Sequence, residues 1–278
     1  MYTGVTTIRF DAPGQSERSD ILLELGKILK NKQIAKDIFE MVLEVPQIAK
    51  AAKPGQFVNL RLSGKLDPLL RRPISLHDAD PRKGTITMLY LIVGEGTAMM
   101  KDMECGSTID VLGPLGNGWT CSFEGSYAVL IGGGIGIAPL YPLARELAKS
   151  GKKVELIVGA KNKDYLTDVR PYEDLGATVT ITTDDGTAGI KGFVTTALAN
   201  SIKSNKCDFV YACGPVPMLR FVEKIALENK VPGQVSTESH MGCGLGVCLL
   251  CPSKMKAGGY KRTCTDGPVF AIGELDYE

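Results

Sequence analysis

Residues 127–139, YAVLIGGGIGIAP, place a compact apolar strand directly before a turn that is rich in glycine. A helical pattern follows over 140–149, so the segment is predicted to be a strand–turn–helix unit. Glycines at such a turn let the phosphates of a ligand approach the backbone and the helix N-terminus. The predicted nucleotide-binding positions are Gly132, Gly133, Gly134 and Gly136. Ala138 and Pro139 stand where the full dinucleotide fingerprint has its third glycine, so a turn without a ligand remains an alternative.

The alternation of strand and helix continues to about residue 232. Strands are predicted at 153–159, 177–182 and 209–212, and helices at 192–201 and 216–229. Alternation of this kind predicts a parallel α/β sheet, and we assign residues 125–232 to a nucleotide-binding α/β domain. A second strand-to-helix turn contains Cys213, Gly214 and Pro215. Because ligands bind at the C-terminal ends of parallel strands, both turns are predicted to border one nicotinamide cleft.

Upstream, residues 26–124 contain short β-type runs separated by turn pairs such as Pro54-Gly55 and Lys83-Gly84. The runs are 27–33, 38–45, 57–62, 85–93 and 107–112. Closely spaced short strands predict an antiparallel barrel. Residues 1–25 are predicted to be an N-terminal extension, and 20–30 has the pattern of a short amphipathic helix.

The C-terminal segment, 233–278, has cysteines at the C-x4-C-x2-C…C spacing of plant-type 2Fe-2S proteins. The four predicted ligands are Cys243, Cys248, Cys251 and Cys264. Thiolates are soft ligands that hold iron, and three of them in a tight loop let the chain wrap a cluster. Zinc is the alternative, since the CxxC pair could form a tetrahedral set with Cys264 or His240, although a second CxxC knuckle is missing. Cys105, Cys121 and Cys207 lie apart and are predicted to be buried.

The composition argues against several function classes. The 278 residues carry a formal net charge of +1, from 32 basic and 31 acidic residues, so binding of nucleic acid or of a membrane surface is not expected. Glycines and prolines interrupt the longest apolar stretch, which argues against a transmembrane helix, and no secretory signal is recognised. A cytoplasmic location is therefore expected. The two histidines, His77 and His240, belong to no Ser-His-Asp pattern, which argues against hydrolytic chemistry.

Two short motifs in the barrel region could bind a second dinucleotide. Arg72 begins the sequence RPIS, and a guanidinium can pair with a pyrophosphate. Gly96-Thr97 precedes a predicted helix at 98–103, whose first turn could bind phosphate through backbone amides. Neither motif is specific alone, because Arg72 could equally be a surface charge and Gly96 a plain turn residue.

Taken in order, the motifs R-P-x-S, G-x-G-T, G-P-L-G-N-G, G-G-G-I-G-I-A-P and C-G-P resemble the ferredoxin-NADP reductase superfamily over residues 26–232. The cysteine segment at 238–270 narrows the resemblance to the electron-transfer subunits of NAD-dependent class 1B dihydroorotate dehydrogenases. The resemblance implies a six-stranded FAD-binding barrel, an NAD-binding domain and a 2Fe-2S module. It implies that FAD is lined by Arg72, Pro73, Ile74, Ser75, Leu89, Tyr90, Leu91, Gly96 and Thr97. It also places Cys213 beside the nicotinamide and the four C-terminal cysteines on the cluster.

The resemblance further implies a partner, a separate FMN-containing dihydroorotate dehydrogenase catalytic subunit in a heterotetramer with two copies of each chain. Electrons would then run from FMN through 2Fe-2S and FAD to NAD, as a step of pyrimidine biosynthesis. A flavin is needed because a cluster passes single electrons, whereas nicotinamide takes two as hydride. No acid-base residue of this chain is required.

Three alternatives stay open at this point. The same cofactors would suit a reductase subunit of a ferredoxin or sulfide oxidoreductase complex, including flavin-bifurcating complexes. Some of those relatives replace a cluster cysteine with aspartate, whereas this chain keeps four cysteines. A zinc-binding interaction module would instead be colourless and free of flavin. NADP could replace NAD, although no arginine pair stands out as a reader of its 2′-phosphate.

Overall fold

The computed structural model describes residues 5–8, 21–62, 68–204 and 206–277. The first sheet contains β1 (Thr6–Ile8), β2 (Ile21–Ala35), β3 (Ile38–Glu44), β4 (Phe57–Arg61), β5 (Arg72–Asp80), β6 (Thr85–Leu91) and β7 (Thr108–Leu115). Six of these strands follow the order β2-β3-β6-β5-β4-β7, all neighbours are antiparallel, and β7 pairs back onto β2. The predicted antiparallel barrel is thus confirmed. Helices α1 (Pro46–Ala51) and α2 (Glu95–Lys101) lie in its connections.

The predicted helix at 20–30 is wrong, because residues 21–30 form the first two-thirds of β2. Its burial alternates, with Leu22, Glu24 and Ile28 on the buried side. Pairing with β3 on one edge and β7 on the other gives the strand two ladders of hydrogen bonds, which overrides the helical pattern. The barrel therefore begins at Ile21, inside the predicted N-terminal extension; most of that extension, residues 1–4 and 9–20, lies outside the described residues.

The second sheet is the predicted parallel α/β sheet. Its strands are β8 (Tyr127–Gly133), β9 (Lys153–Ala160), β10 (Thr178–Thr183), β11 (Ile190–Lys191), β12 (Phe209–Cys213), β13 (Gly233–Ser236) and β16 (Val269–Ala271). The order is β11-β10-β9-β8-β12-β13-β16, and β16 runs antiparallel to β13. The helices are α3 (Leu140–Lys149), α4 (Arg170–Glu173), α5 (Val194–Lys203) and α6 (Val216–Glu228), with short 3-10 turns at Gly134–Ile137 and Lys163–Tyr165. The C-terminal ends of β8 and β12, which precede the two predicted turns, lie side by side.

The C-terminal segment joins both domains. It contains a hairpin of β14 (Pro252–Lys254) and β15 (Tyr260–Arg262), followed by β16 in the α/β sheet. The Asn117 amide, in the connection after β7, donates to the carbonyls of Asp266 and Val269 at 2.9 and 3.1 Å. The fold class is therefore confirmed as barrel, α/β domain and small C-terminal module. In the part of the chain that the structure describes, the helices are too short or too polar to cross a bilayer.

Candidate functional site

The loop that begins at Cys243 directs backbone N–H groups at the sulfurs of Cys243 and Cys248. The N atoms of Leu245 and Cys248 lie 3.3 and 3.5 Å from Cys243 Sγ. The Cys243 N–H donates in turn to Cys248 Sγ at 3.4 Å. Gly244 and Gly246 adopt φ values of +73° and +79°, which L side chains rarely adopt, so the turn depends on glycine here. N–H groups aimed at sulfur stabilise thiolates and help to set the potential of an iron–sulfur cluster.

Two of the four predicted cluster ligands, Cys243 and Cys264, have pKa values shifted in opposite directions. Burial opposes ionisation of Cys243, but the N–H groups of its loop outweigh burial and lower the pKa of this thiol to about 7. Cys251 and Cys264 are buried, and burial together with the Cys251 thiol raises the pKa of Cys264 to about 12. Within the described ranges, no three His, Cys, Asp or Glu side chains are drawn together as a metal-binding set. Cys243 and Cys264 still interact electrostatically. A donor set of thiols in a loop of N–H donors fits an iron–sulfur cluster.

Two of the predicted cluster ligands pack directly on the barrel. Cys251 and Cys264 share one buried apolar cluster with Phe57 of β4 and two leucines of β7. Phe57 is the cross-strand partner of Ser75, one of the residues predicted to bind FAD. The cysteine module therefore lies one strand away from the predicted flavin strand, β5.

Asn59 bridges the same two regions and was missed by the sequence analysis. Its Nδ2 lies 3.5 Å from the Cys243 carbonyl oxygen, and a Cβ on Gly244 would lie only 2.8 Å from that nitrogen. Asn59 pairs across the sheet with Pro73 of the RPIS motif. The side chain is fully buried, and its Oδ1 has no hydrogen-bond partner among the described residues. Asn59 is a single polar residue in an apolar strand, and nothing in the sequence indicated that it would contact the cysteine loop and the RPIS motif.

The structure brings together the two motifs predicted to bind the FAD pyrophosphate. A Cβ on Gly96 would lie 2.0 Å from Arg72 Nε and 2.7 Å from Arg72 Cζ, so the guanidinium lies against the first turn of α2. The hydroxyl of Thr97 accepts from the Val93 N–H at 2.9 Å and donates to the Gly94 carbonyl at 3.1 Å, which holds this turn in place. A guanidinium beside backbone N–H groups fits a pyrophosphate.

Side-chain alternation separates the remaining predicted flavin residues into two faces. On β5, Ile74 packs against the barrel core, so Pro73 and Ser75 lie on the outer face, which points away from that core. On β6, Leu89 and Leu91 flank Tyr90, whose side chain belongs to the core, so both leucines also lie on the outer face. Pro73, Ser75 and Leu91 are half-buried and can border a ligand on this face, whereas Leu89 is only 6% exposed.

Tyr90 differs from the prediction, because its side chain lies inside the barrel. It belongs to the buried core and stacks on Phe39, with ring centroids 5.7 Å apart. Its hydroxyl donates to Asn31 Oδ1 at 2.8 Å, and burial raises the pKa of this phenol to about 12. The tyrosine ring therefore supports β6 from within the core, and only the backbone of Tyr90 remains for a ligand on the outer face.

The two turns predicted to border the nicotinamide are in contact. A Cβ on Gly136 would lie 2.2 Å from the Cys213 carbonyl oxygen, and one on Gly214 would lie 3.0 Å from the Cα of Gly133. Only glycine permits this backbone approach. Cys213 itself is 4% exposed, and burial, with a smaller effect of Glu238, raises the pKa of its thiol to about 12. Cys213 is therefore a buried, neutral thiol where the two turns meet.

Sequence analysis also missed two side chains from outside residues 125–232 that hydrogen-bond to the end of the glycine turn. His77 Nδ1 lies 2.9 Å from the carbonyl oxygen of Ala138, and Trp119 Nε1 donates to that of Pro139 at 3.1 Å. The His77 contact spans 61 positions of the chain, so no short-range motif could reveal it. By contrast, Cys105 was predicted to be buried and is exposed.

Two family models match the chain. Residues 238–276 match the iron-sulfur cluster binding domain of dihydroorotate dehydrogenase B, and residues 130–224 match the oxidoreductase NAD-binding domain. A Bacillus cereus (strain G9842) protein named dihydroorotate dehydrogenase B (NAD(+)), electron transfer subunit, is 41% identical over 254 residues, which cover 89% of this chain and 96% of the relative. The protein of the same name from Geobacillus sp. (strain WCH70) is 40% identical over 252 residues, with the same coverage.

Solved structures extend the similarity. The NADH-dependent reduced ferredoxin-NADP oxidoreductase, a structure reported for flavin-based electron bifurcation, has a chain that is 36% identical with a TM-score of 0.81, covering 91% of this chain and 90% of its own. The Amycolatopsis cytochrome P450 reductase is similar in fold, with 22% identity, a TM-score of 0.66 and coverage of 80% of this chain and 70% of its own.

Proposed function

This chain belongs to the family of electron transfer subunits of dihydroorotate dehydrogenase B, and we propose that it passes electrons from a catalytic subunit through a 2Fe-2S cluster and FAD to NAD+. The electrons come from oxidation of dihydroorotate, a step of pyrimidine biosynthesis. FAD, when bound, converts single-electron transfer into the two-electron transfer that nicotinamide requires. The contribution of the chain is then to set distance, orientation and potential.

The proposal is supported above all by the succession of sites across neighbouring strands. Two of the cluster cysteines, Cys251 and Cys264, pack on Phe57, whose cross-strand partner is Ser75 on β5. His77, farther along β5, contacts the glycine turn of the α/β domain through Ala138. Cluster, flavin and nicotinamide therefore follow one another in the order that electron flow requires.

Each cofactor has proposed ligands on this chain. Cys243, Cys248, Cys251 and Cys264 hold the cluster. FAD is held at the outer face of β5 and β6, with Arg72 and the first turn of α2 at its pyrophosphate. NAD binds where the glycine turn meets Cys213 and Gly214, at the C-terminal strand ends where parallel sheets bind nucleotides.

The catalytic partner docks, in our proposal, on the cluster loop. Val247, Leu249 and Leu250 surround the exposed Cys248 and are themselves 66%, 66% and 50% exposed. Exposed apolar side chains on a loop of this kind mark an interaction site. Because a cluster must lie close to its electron donor, the occupant is the FMN-containing catalytic subunit. The proposed assembly contains two copies of each chain and is cytoplasmic, a compartment that keeps cysteines free of disulfides.

The docking surface is tested by Leu249→Lys, with Leu29→Lys as the control on an exposed leucine of β2. We expect Leu249→Lys to weaken co-purification of the catalytic subunit by at least about tenfold, since a charge replaces an apolar contact. NADH oxidation by the isolated chain with an artificial acceptor should not change. Equal retention of the partner by both variants would contradict the proposed surface.

The function itself is tested with the complex purified anaerobically with its native partner. Addition of dihydroorotate should reduce NAD+, and the partner should contain FMN. A complex that is loaded with flavin and iron, but inert toward dihydroorotate, would retain the cofactor sites and overturn the substrate. Parallel assays with NADP+ decide the nicotinamide specificity.

A reductase subunit of a ferredoxin-dependent complex is the second candidate, favoured by the 36% identity to the NADH-dependent reduced ferredoxin-NADP oxidoreductase chain. The same preparation distinguishes the two. Under this second function, reduced ferredoxin rather than dihydroorotate would drive NAD+ reduction, and the partner chain would be a larger flavoprotein.

A further inference from the structure

Three consecutive backbone carbonyls at the end of the glycine turn each accept a hydrogen bond from an aromatic side chain. The Tyr172 hydroxyl donates to the carbonyl oxygen of Ile137 at 2.9 Å. His77 Nδ1 contacts the carbonyl of residue 138 at 2.9 Å, and Trp119 Nε1 donates to that of residue 139 at 3.1 Å. Tyr172 and Trp119 are buried, at 1% and 6% exposure. Side-chain donors at three neighbouring carbonyls hold the turn at the start of α3. The carbonyl of residue 138 has no helical donor four positions on, because Pro142 lacks an N–H.

The three donors come from different parts of the chain. Tyr172 belongs to α4 of the same α/β domain. His77 belongs to β5 of the barrel. Trp119 follows β7, and its backbone N–H donates to the Pro54 carbonyl at 2.9 Å, while a Cβ on Gly55 would lie 2.8 Å from its ring. The His77 bond therefore connects the barrel to the glycine turn, and the Tyr172 bond is internal to the α/β domain. The Trp119 ring packs in the α/β core, while its backbone is bonded to the barrel loop at Pro54.

The geometry of His77 defines its role in this contact. A carbonyl oxygen can only accept, so Nδ1 carries the proton. The imidazole stacks on Tyr141, with ring centroids 5.2 Å apart, and burial lowers its pKa, which keeps the ring neutral. His77 is the extra residue of a β-bulge between the pairs Leu76↔Met88 and Asp78↔Thr87. A bulge re-aims a side chain, and here it directs the imidazole of the flavin strand at the nucleotide turn.

We infer that His77 and Trp119 are positioning residues for hydride transfer, because they fix the nucleotide turn relative to the flavin strand. This inference rests on the proposed FAD and NAD sites. Hydride transfer depends on donor and acceptor atoms being held at close range, and a displacement of about 1 Å can cost about a hundredfold in rate. Loss of a bond between the domains should therefore slow the transfer more than it weakens nucleotide binding.

The test compares His77→Phe and Trp119→Phe with Tyr172→Phe in the cofactor-loaded chain. Each variant keeps an aromatic ring and loses one donor to the same turn. Only His77→Phe and Trp119→Phe remove a donor whose residue is also bonded to the barrel, and the ion pair of Arg145 with Asp78 still joins the two domains in every variant. Stopped-flow reduction of FAD by NADH gives a limiting rate and an apparent dissociation constant. We expect the limiting rate to fall about tenfold or more in His77→Phe and Trp119→Phe, with the dissociation constant changed less than about threefold. Tyr172→Phe should keep the limiting rate within about twofold.

Rescue and a second readout separate positioning from general destabilisation. His77→Asn places an amide nitrogen where Nδ1 stood and should recover most of the rate. For His77→Phe, hydrogen exchange measured by mass spectrometry should rise in both 72–80 and 131–143. For Tyr172→Phe, exchange should rise outside the barrel and stay unchanged in 72–80. Equal limiting rates in His77→Phe and Tyr172→Phe, or unchanged exchange in 72–80, would overturn the inference. Failure of NADH to reduce FAD in the unmodified chain would instead refute the proposed function, while the exchange experiment still decides the contact.

Discussion

The contact between the two nucleotide turns can be tested at Gly136. A Cβ added there would lie 2.2 Å from the Cys213 carbonyl oxygen, 2.5 Å from its carbonyl carbon and 2.7 Å from the Gly214 nitrogen. These atoms belong to the backbone and cannot rotate away. Relief to 3.0 Å, the shortest contact that a Cβ tolerates, requires the turns to separate by at least 0.8 Å (3.0 − 2.2). Overpacking of this kind costs about 1–3 kcal/mol of the free energy of unfolding.

Gly136→Ala should also weaken NAD binding, because separated turns no longer present their N–H groups to one pyrophosphate. Loss of one hydrogen bond to a charged group, about 1.5–3 kcal/mol, corresponds to a dissociation constant raised about tenfold or more. Calorimetric titration with NAD+ measures the affinity, and thermal unfolding measures the stability. Gly151→Ala is the control, since Gly151 has φ +77° and open space around its Cβ position, at the loop after α3. It should lose stability through strain but keep the affinity. Wild-type NAD affinity in Gly136→Ala would refute the assignment of the two turns to one nucleotide site.

Three further outcomes follow from the sites. Gly96→Ala should displace the Arg72 guanidinium and lower FAD occupancy of the purified chain, as measured by released flavin per protein; full occupancy would remove Arg72 from the pyrophosphate site. Asn59→Leu removes the donor to the cluster loop, so the visible absorbance of the cluster should bleach several-fold faster with an iron chelator, and an unchanged rate would show that this bond is dispensable. Cys213, whose pKa is raised to about 12, should resist alkylation in the native state at pH 8, whereas exposed Cys105 reacts. Rapid labelling of Cys213 at pH 8 would contradict its burial. Because Cys213 ionises more readily in the unfolded state, its contribution to the free energy of unfolding should be complete below about pH 9 and decline as the pH rises toward 12.

The elements that the sequence predicted best are those with a strong local pattern. Helix α3 has the predicted bounds, because its apolar spacing and the preceding Pro139 define it locally. The strand β5 was not predicted as such, since Pro73 interrupts the pattern, and pairing with β4 and β6 stabilises it. The segment at 20–30 fits a helical period as well as a strand, and only pairing with β3 and β7 decides between them.

The site was predictable where a chemical group lies in a short motif. Cysteine spacing and glycine turns identify positions that are close in sequence. Asn59, His77 and Trp119 act through partners far along the chain, so their roles depend on strand order and on the contact between domains. The placement of the Tyr90 ring inside the barrel likewise depends on which face of β6 turns inward.

The order of sites, from cluster through flavin to nicotinamide, is tested most directly by electron paramagnetic resonance of the isolated chain. Anaerobic NADH is added to two preparations that contain the same amount of cluster, one loaded with FAD and one stripped of it. The signal of the reduced 2Fe-2S cluster should appear in the FAD-loaded chain and stay absent in the stripped chain, although dithionite reduces the cluster in both. Equal reduction of the cluster by NADH in the two preparations would contradict a path through the flavin strand.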